Sequence, residues 1–457
     1  MLIRFIVSNF MSFKEETEFN MLPSKGNGSR QLKDHIKKTK SGVEVLKTAA
    51  IYGANASGKS NLIKAISYFK NVVFNEEQLL MPQSKRFRID SSFKSKPTTF
   101  RIEYEYKGIH FDYAIEVIKG KINEEYLYSI DSIKTKKEKL LYKRIGNNVE
   151  FGDIFKKSKD FSYLEKYINK ELKDNQSVLD ACFGVLDDIN ILDNIYIGLS
   201  KLTIVTPFSR SYVYSESVLT GTKSTKFATD LLINSKTGIE SLIVKEINAD
   251  TFFSYADEDF KKEMIDDLES ALESRDDKSK DLVLTFPFNS QINVLKKKDD
   301  KYFVSILKTK HFNSDELFDL EEESDGTNRL YELSPAFEQL IYEDDVVYII
   351  DELERSMHPL LAKELLKLFS VAKTSKSQLI FTTHESHLLD DELLRRDEIW
   401  FTEKKSDGST EFYPLSNFNP RGDKILERGY LQGRYGGIPF LGDFSKISNE
   451  KNVSETC

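Results

Sequence analysis

A chain of 457 residues is longer than one ordinary hydrophobic core sustains, so two or three compact units are expected. Hydrophobic residues at 39% and charged residues at 31% describe a water-facing globular protein, and no apolar run approaches the ~18 residues that cross a bilayer, which excludes a membrane-inserted class. The formal net charge of −8 excludes a surface that is basic overall, so any contact with DNA or RNA has to be local.

Ile3, Phe5, Val7, Phe10 and Phe13 predict an opening pair of strands. The run Thr48-Ala49-Ala50-Ile51-Tyr52 predicts a buried strand, and Asn61-Leu62-Ile63-Lys64-Ala65-Ile66 opens a helix with apolar residues at helical spacing. Between them Gly53-Ala54-Asn55-Ala56-Ser57-Gly58-Lys59-Ser60 matches G-x-x-x-x-G-K-[ST] without a gap. Strand, loop and helix are the context in which this pattern cradles nucleotide phosphates. Gly53 and Gly58 let the backbone wrap close to phosphate oxygens, and the N–H groups of Ala54, Asn55, Ala56 and Ser57 with the helix N-terminus supply positive potential. Lys59 is placed to reach the β- and γ-phosphates of ATP, and the Ser60 hydroxyl to ligate Mg²⁺.

Phe100 to Tyr106 alternates apolar and polar residues up to Lys107-Gly108, and Phe111, Tyr113, Ile115 and Val117 alternate after it, a hairpin pattern. From about 150 to 279 the period turns helical: Phe161, Leu164, Tyr167, Ile168 and Leu172 form one stripe, Ile239, Leu242, Ile243 and Ile247 a second, Phe260, Met264, Leu268 and Leu272 a third. The stretch 209–226, rich in Ser, Thr and Gly, predicts a mobile loop. The lysines at 296–298 and across 134–144 have acidic neighbours and read as solvated faces. Strand signals return at 282–286, 292–295 and 302–307, the last two joined through Lys298-Asp299-Asp300. Helix and strand then alternate through residue 402, the pattern of a layer with parallel strands.

Val346-Val347-Tyr348-Ile349-Ile350 is an apolar strand that delivers Asp351 and Glu352 at its tip. Asp351 is placed to hold Mg²⁺ through water, and Glu352 to polarise the attacking water. Gln378 to Thr383 is a second such strand and delivers His384, a γ-phosphate sensor. Cys182 and Cys457 are too few for a disulfide framework, and Met1-Leu2-Ile3-Arg4-Phe5 lacks the basic and apolar regions of a secretory signal, so a cytoplasmic setting is expected.

In order, Ile3 to Phe10, the phosphate loop, Asp351-Glu352 and His384 resemble the ATP-binding-cassette superfamily in its chromosome-maintenance and RecF-like branch. The resemblance implies an α/β fold with a mixed sheet: a first core half over 1–120, a mainly helical insertion over 121–290, a second core half over 291–440, and a tail over 441–457. Ser324-Asp325-Gly326-Thr327 looks like the signature segment of that branch, with Ser324, Gly326 and Thr327 facing phosphate. It departs from the familiar L-S-G-G-[QE] string, and Ser324 can equally be an ordinary helix cap. The signature implies a homodimer or higher homo-oligomer with ATP sandwiched between subunits. A glutamine loop is implied too, with Gln78, Gln83 or another residue as alternatives. More narrowly, Asp351 to Pro359 and Arg428-Gly429-Tyr430-Leu431-Gln432-Gly433-Arg434-Tyr435-Gly436-Gly437-Ile438-Pro439 resemble the ATPases of bacterial phage-defence gene pairs, of the RloA or AbiL type, the ATPase of the PARIS system being a related possibility. That resemblance implies an ATP-hydrolysing sensor that controls a nuclease-like effector encoded by the adjacent gene. The alternative is a DNA-repair clamp of RecF type, which the acidic balance disfavours. The two arginines, two tyrosines and four glycines of the 428–439 stretch fit either a segment folded onto its own core or a docking segment for a partner.

Overall fold

The computed structural model describes residues 1–24, 32–74, 85–131, 137–186, 189–207, 218–220, 222–273, 283–288, 291–372, 376–418 and 426–438. The chain divides into two compact units, one comprising Met1–Ile204 with Gln378–Cys457 and the other Val205–Ser377.

In the first unit β1 (Leu2–Ser8) pairs antiparallel with β2 (Thr17–Asn20) on one side. Ile36–Lys38 (β3) and Glu44–Leu46 (β4) make a separate antiparallel pair, and Thr48–Gly53 is β5. On its other side β1 pairs with β6 (Thr98–Tyr106), and β7 (Ile109–Ile118), β8 (Lys121–Ile130), β9 (Glu138–Ile145) and β10 (Asn148–Phe151) extend that sheet to seven strands. The expected hairpin is the β6–β7 turn, where Lys107 (φ 51°) and Gly108 (φ 93°) are both left-handed. Two such residues give the turn a twist that matches the strands. Phe10 and Phe13 form only an isolated bridge; the partner of β1 begins at Thr17.

The helix Lys59–Val73 lays its apolar face on this sheet, with the Phe69 ring 6.0 Å from Phe5 and 5.6 Å from Tyr113. On β8, Glu125 lies fully buried and accepts hydrogen bonds from Tyr113 (2.8 Å), Tyr142 (2.6 Å) and the Val178 backbone N–H (3.0 Å), which ties the helix Val178–Cys182 down. Leu202–Val205 (β11) closes this stretch.

The second unit is built on an antiparallel sheet of β12 (Ile239–Asn248), β13 (Val283–Phe288), β14 (Gln291–Lys298) and β15 (Lys301–His311), in the order β12-β15-β14-β13, with β16 (Leu317–Asp319) on β15. The helix Glu258–Glu273 covers it through Leu268, over a core holding Phe253, Phe286, Leu295 and Val304. Here the sequence misleads in one place: Ile239, Leu242, Ile243 and Ile247, spaced as a helical stripe, form strand. The β-branched Ile239, Ile243, Val244 and Ile247 favour the pleat, and pairing with β15 from Ile239 opposite His311 to Asn248 opposite Phe303 decides it. With β8 to β10 also inside 121–290, that segment mixes strand and helix. The other two stripes are helices, Phe161–Glu171 and Glu258–Glu273. Of 209–226, only 218–220 and 222–226 are described, the latter opening the helix Thr222–Asn234. Asp325–Tyr342 forms a further helix, Val347–Ile350 (β17) a wholly buried strand, and Pro359–Val371 another helix.

After the second unit the chain returns to the first with β18 (Gln378–Thr382) and β19 (Ile399–Lys404). Both run parallel to β5, one on each side, and β20 (Thr410–Pro414) pairs antiparallel with β19. The sheet around β5 is therefore mixed, and every residue of β5 is buried, as its continuous apolar run requires.

Candidate phosphate site

β5 ends at Gly53, and the helix Lys59–Val73 starts at Lys59, so the motif occupies the turn between them. Ala56 (φ 63°) and Gly58 (φ 115°) are left-handed, and Gly58 is the helix N-cap. Neither end glycine tolerates a side chain. A Cβ on Gly53 would lie 2.1 Å from Thr402 Oγ1, and one on Gly58 2.2 Å from Thr410 Oγ1. Asn55 and Ala56 at the crest are exposed, Ser57 is buried and Ser60 half-buried. Lys59 is 6% exposed, and its ammonium donates to the carbonyls of Gly53 (2.6 Å) and Ala54 (3.1 Å) and lies 3.4 Å from His384 Nδ1. The two residues that the sequence brought forward independently, Lys59 and His384, therefore meet within the first unit. A cation folded onto its own loop can swing to a bound phosphate, whose oxygens would replace those carbonyls as acceptors.

The loop is braced by hydroxyls that no motif announces. Thr410 Oγ1 donates to the Ser57 carbonyl (2.8 Å) and bonds the Ser12 hydroxyl (2.7 Å). Asn61 Nδ2 donates to Ser12 Oγ (2.8 Å), the Thr410 N–H donates to the Ser12 carbonyl (2.8 Å), and the Ser57 and Thr402 hydroxyls bond each other. Upstream of Thr410, Asp407 accepts from Ser409 N (3.0 Å) and Oγ (2.6 Å); those bonds, with Lys14 nearby, pull its carboxyl down to about 2. At the foot of β5, burial pushes the Lys47 ammonium down to about 8.

In the second unit Asp351 is buried and its N–H donates to the Val205 carbonyl (2.8 Å), while Glu352 is half-buried and left-handed at φ 51°. A left-handed glutamate is costly backbone, which persists where surrounding contacts hold it. Arg329, 5% exposed, donates to the Glu352 carbonyl at 3.3 Å, and the Arg355 N–H donates to the same oxygen at 3.1 Å. Burial lowers the guanidinium pKa of Arg329. Sequence reading missed Arg329, which lies two residues beyond the Ser324 to Thr327 segment, because its acceptor, the Glu352 carbonyl, is 23 residues away along the chain.

Ser324 is the N-cap of Asp325–Tyr342: its Oγ accepts from the Thr327 N–H (3.2 Å) and bonds Thr327 Oγ1 (2.9 Å). Ser324 is exposed and Thr327 buried. A Cβ on Gly326 would stand 2.9 Å from the Ser356 carbonyl, so the glycine lets this helix start pack against the turn that follows Asp351-Glu352. Gln78 and Gln83 lie outside the described residues.

The glycine-rich stretch is folded onto the first unit's own core. Tyr435 is 3% exposed and stacks on Phe401 at 6.1 Å, Tyr430 also stacks on Phe401 at 5.7 Å, and Arg428 and Arg434 are exposed.

Residues 49–176 and 209–390 match the family described as "AAA domain, putative AbiEii toxin, Type IV TA system". No curated protein matches the chain significantly. Among solved structures, the chain is similar to an SMC head bound to the C-winged helix domain of ScpA, at 10% identity over 90% of this chain and 97% of that one, with a TM-score of 0.40. It is also similar to the SMC head domain from Thermotoga maritima, at 12% identity over 90% and 98%, with a TM-score of 0.36. Among the described residues, no helix is long and apolar enough to cross a membrane.

Proposed function

Starting from the fact that this chain belongs to that AbiEii-associated family of AAA domains, we propose that it binds and hydrolyses ATP as the sensing or restraining half of a bacterial antiphage pair, of the RloA or AbiL type, and controls a separately encoded nuclease-like effector. The observation that carries the ATP reading is the phosphate loop. Left-handed Ala56 and Gly58, a helix N-terminus and the folded-over Lys59 ammonium form a concave, positively polarised turn that excludes side chains at Gly53 and Gly58. Lys59 holds the β- and γ-phosphates, His384 senses the γ-phosphate and Glu352 orients the attacking water. The Ser60 hydroxyl and the Asp351 carboxylate are hard oxygen donors, the kind that Mg²⁺ takes, and bound Mg²⁺ would neutralise charge on the phosphates. Ser324, Gly326 and Thr327 face the nucleotide of a second copy, which makes the working unit a homodimer or higher homo-oligomer.

Titration with a fluorescent ATP analogue tests the central claim: Lys59→Ala abolishes binding, and wild-type affinity in that variant overturns it. Mixing tests the shared site. Ser324→Arg and Lys59→Ala chains are each inactive alone, whereas mixed dimers regain a fraction of turnover because one composite site carries neither defect. No rescue in mixtures that contain heterodimers sinks the shared-site reading. Co-purification with the product of the adjacent gene tests the effector.

A further inference from the structure

The stretch 426–438 touches both phosphate-facing segments of the first unit. At one end Glu427 Oε1 accepts from Ser386 Oγ (3.0 Å) and pairs with His387 Nδ1 (2.8 Å), on the turn just after His384. At the other end Gly436 and Gly437, left-handed at φ 71° and 70°, turn the backbone so that the Gly437 N–H donates to Glu403 Oε1 at 2.7 Å. There a Cβ on Gly437 would lie 3.7 Å from the Cα of Gly53, the first residue of the phosphate loop, and 3.0 Å from the Phe401 ring. Between the two ends, the Tyr430 hydroxyl donates to the Gly437 carbonyl (3.1 Å) and the Tyr413 hydroxyl to the Tyr435 carbonyl (3.0 Å). The Tyr430 ring also meets Tyr52, the residue before Gly53, edge-on at 5.7 Å.

A merely space-filling segment would need its aromatic rings. It would not need two adjacent left-handed glycines set against Glu403 and the loop's first glycine, nor a carboxylate reaching the His384 turn. We propose that 426–438 is a positioning strap for the nucleotide site: through Glu403 and Gly437 it fixes the start of the phosphate loop, and through Glu427 it fixes the turn that carries His384. The strap rests on the ATP reading above for its purpose, but its mechanical effect exists without nucleotide. The two arms act on different steps. Loosening the Gly53 end misaims the loop N–H groups and weakens binding, whereas loosening the His384 end leaves binding intact and slows turnover.

Amide hydrogen exchange on the nucleotide-free chain reads the strap directly. Glu403→Ala accelerates exchange across 53–60, Glu427→Ala accelerates it across 383–388, and Glu403→Gln, which keeps an acceptor for Gly437, restores the wild-type pattern at 53–60. ATP then separates the arms. With the hydrogen bonds to one carboxylate removed at each arm, Glu403→Ala raises the Kd for Mg-ATP about tenfold with kcat kept within about twofold, and Glu427→Ala lowers kcat about tenfold at unchanged Kd. Wild-type exchange and wild-type kinetics in both alanine variants overturn the strap, as does a fall in thermal midpoint with no change in either. A wild-type chain that binds no ATP while the exchange effects persist sinks the ATP reading and leaves the strap standing.

Discussion

The phosphate loop and the turn after β17 both hold a short irregular segment still, and they use different means. The loop is braced by neutral hydroxyls, those of Ser12, Ser57, Thr402 and Thr410, and by glycines whose replacement has no room. The acidic turn keeps a glutamate in left-handed backbone and holds its carbonyl with a buried guanidinium. A neutral brace leaves the electrostatics of its segment to the ligand, which suits a loop whose own N–H groups and lysine must dominate. A charged brace contributes to the field around its carboxylate, which suits the proposed task of that segment, to act on water. Side-chain chemistry should therefore matter most at the turn, and backbone shape at the loop.

Glu352→Gln is the sharpest way to break that contrast. It keeps shape and left-handed tolerance but loses the proposed base, so turnover falls by at least ~10²-fold with ATP affinity and thermal midpoint unchanged. Unchanged turnover transfers the role to another carboxylate, with Glu354 the next candidate. Gly58→Ala does the reverse. With φ at 115° and Thr410 Oγ1 where the methyl must go, it lowers unfolding free energy by about 1–3 kcal/mol and removes ATP binding, seen in a denaturant titration and a nucleotide titration. A stable Gly58→Ala chain that still binds would show that the loop's shape is dispensable.

Thr410→Val tests the brace alone. It is nearly isosteric and leaves the Ser57 carbonyl without its donor, so it costs about 1–2 kcal/mol of stability and raises the Kd for ATP several-fold. A neutral outcome for both would show that water replaces the hydroxyl.

The smallest effect concerns the foot of β5. Burial lowers the Lys47 pKa from 10.5 to about 8 in the folded chain, so between those values the unfolded chain binds the proton and the folded chain does not. Stability therefore rises with pH across that window, and the full penalty of the buried charge is present below it. In urea unfolding at pH 7.5 and 9.5, the stability of the wild type relative to Lys47→Met increases at the higher pH. An equal difference at both values would place Lys47 in ordinary solvent.

Much of this was legible in the chain because the signals were local. The strand, loop and helix around Gly53 to Ser60 lie within one stretch, and the β6–β7 hairpin announces itself through Lys107-Gly108. The brace was not legible. Ser12, Thr402 and Thr410 are common residues in common surroundings, and only the pairing of β5 with β19, and of β19 with β20, brings the two threonines beneath the loop. Strand β12 was misread because Ile239, Leu242, Ile243 and Ile247 satisfy a helical period by spacing, while the β-branched content that favours a strand carries no period of its own. For the glycine-rich stretch, composition fitted two seats equally. The stacking of Tyr430 and Tyr435 on Phe401 seats it on its own core, and that is a fact about strand β19.

The place of β5 in its sheet also sets a timetable. Thr48 pairs with Leu379 and Ala50 with Ile399, so the entire second unit separates β5 from both of its parallel neighbours along the chain. At synthesis rates of about 5–20 residues per second, the phosphate loop waits on the order of half a minute after its own translation before either flanking strand has left the ribosome. Until then a six-residue apolar strand stands without its neighbours, an edge open to the wrong partner. Nascent chains halted before β18 should therefore bind no nucleotide and should recruit chaperones, although they already contain every residue of the loop.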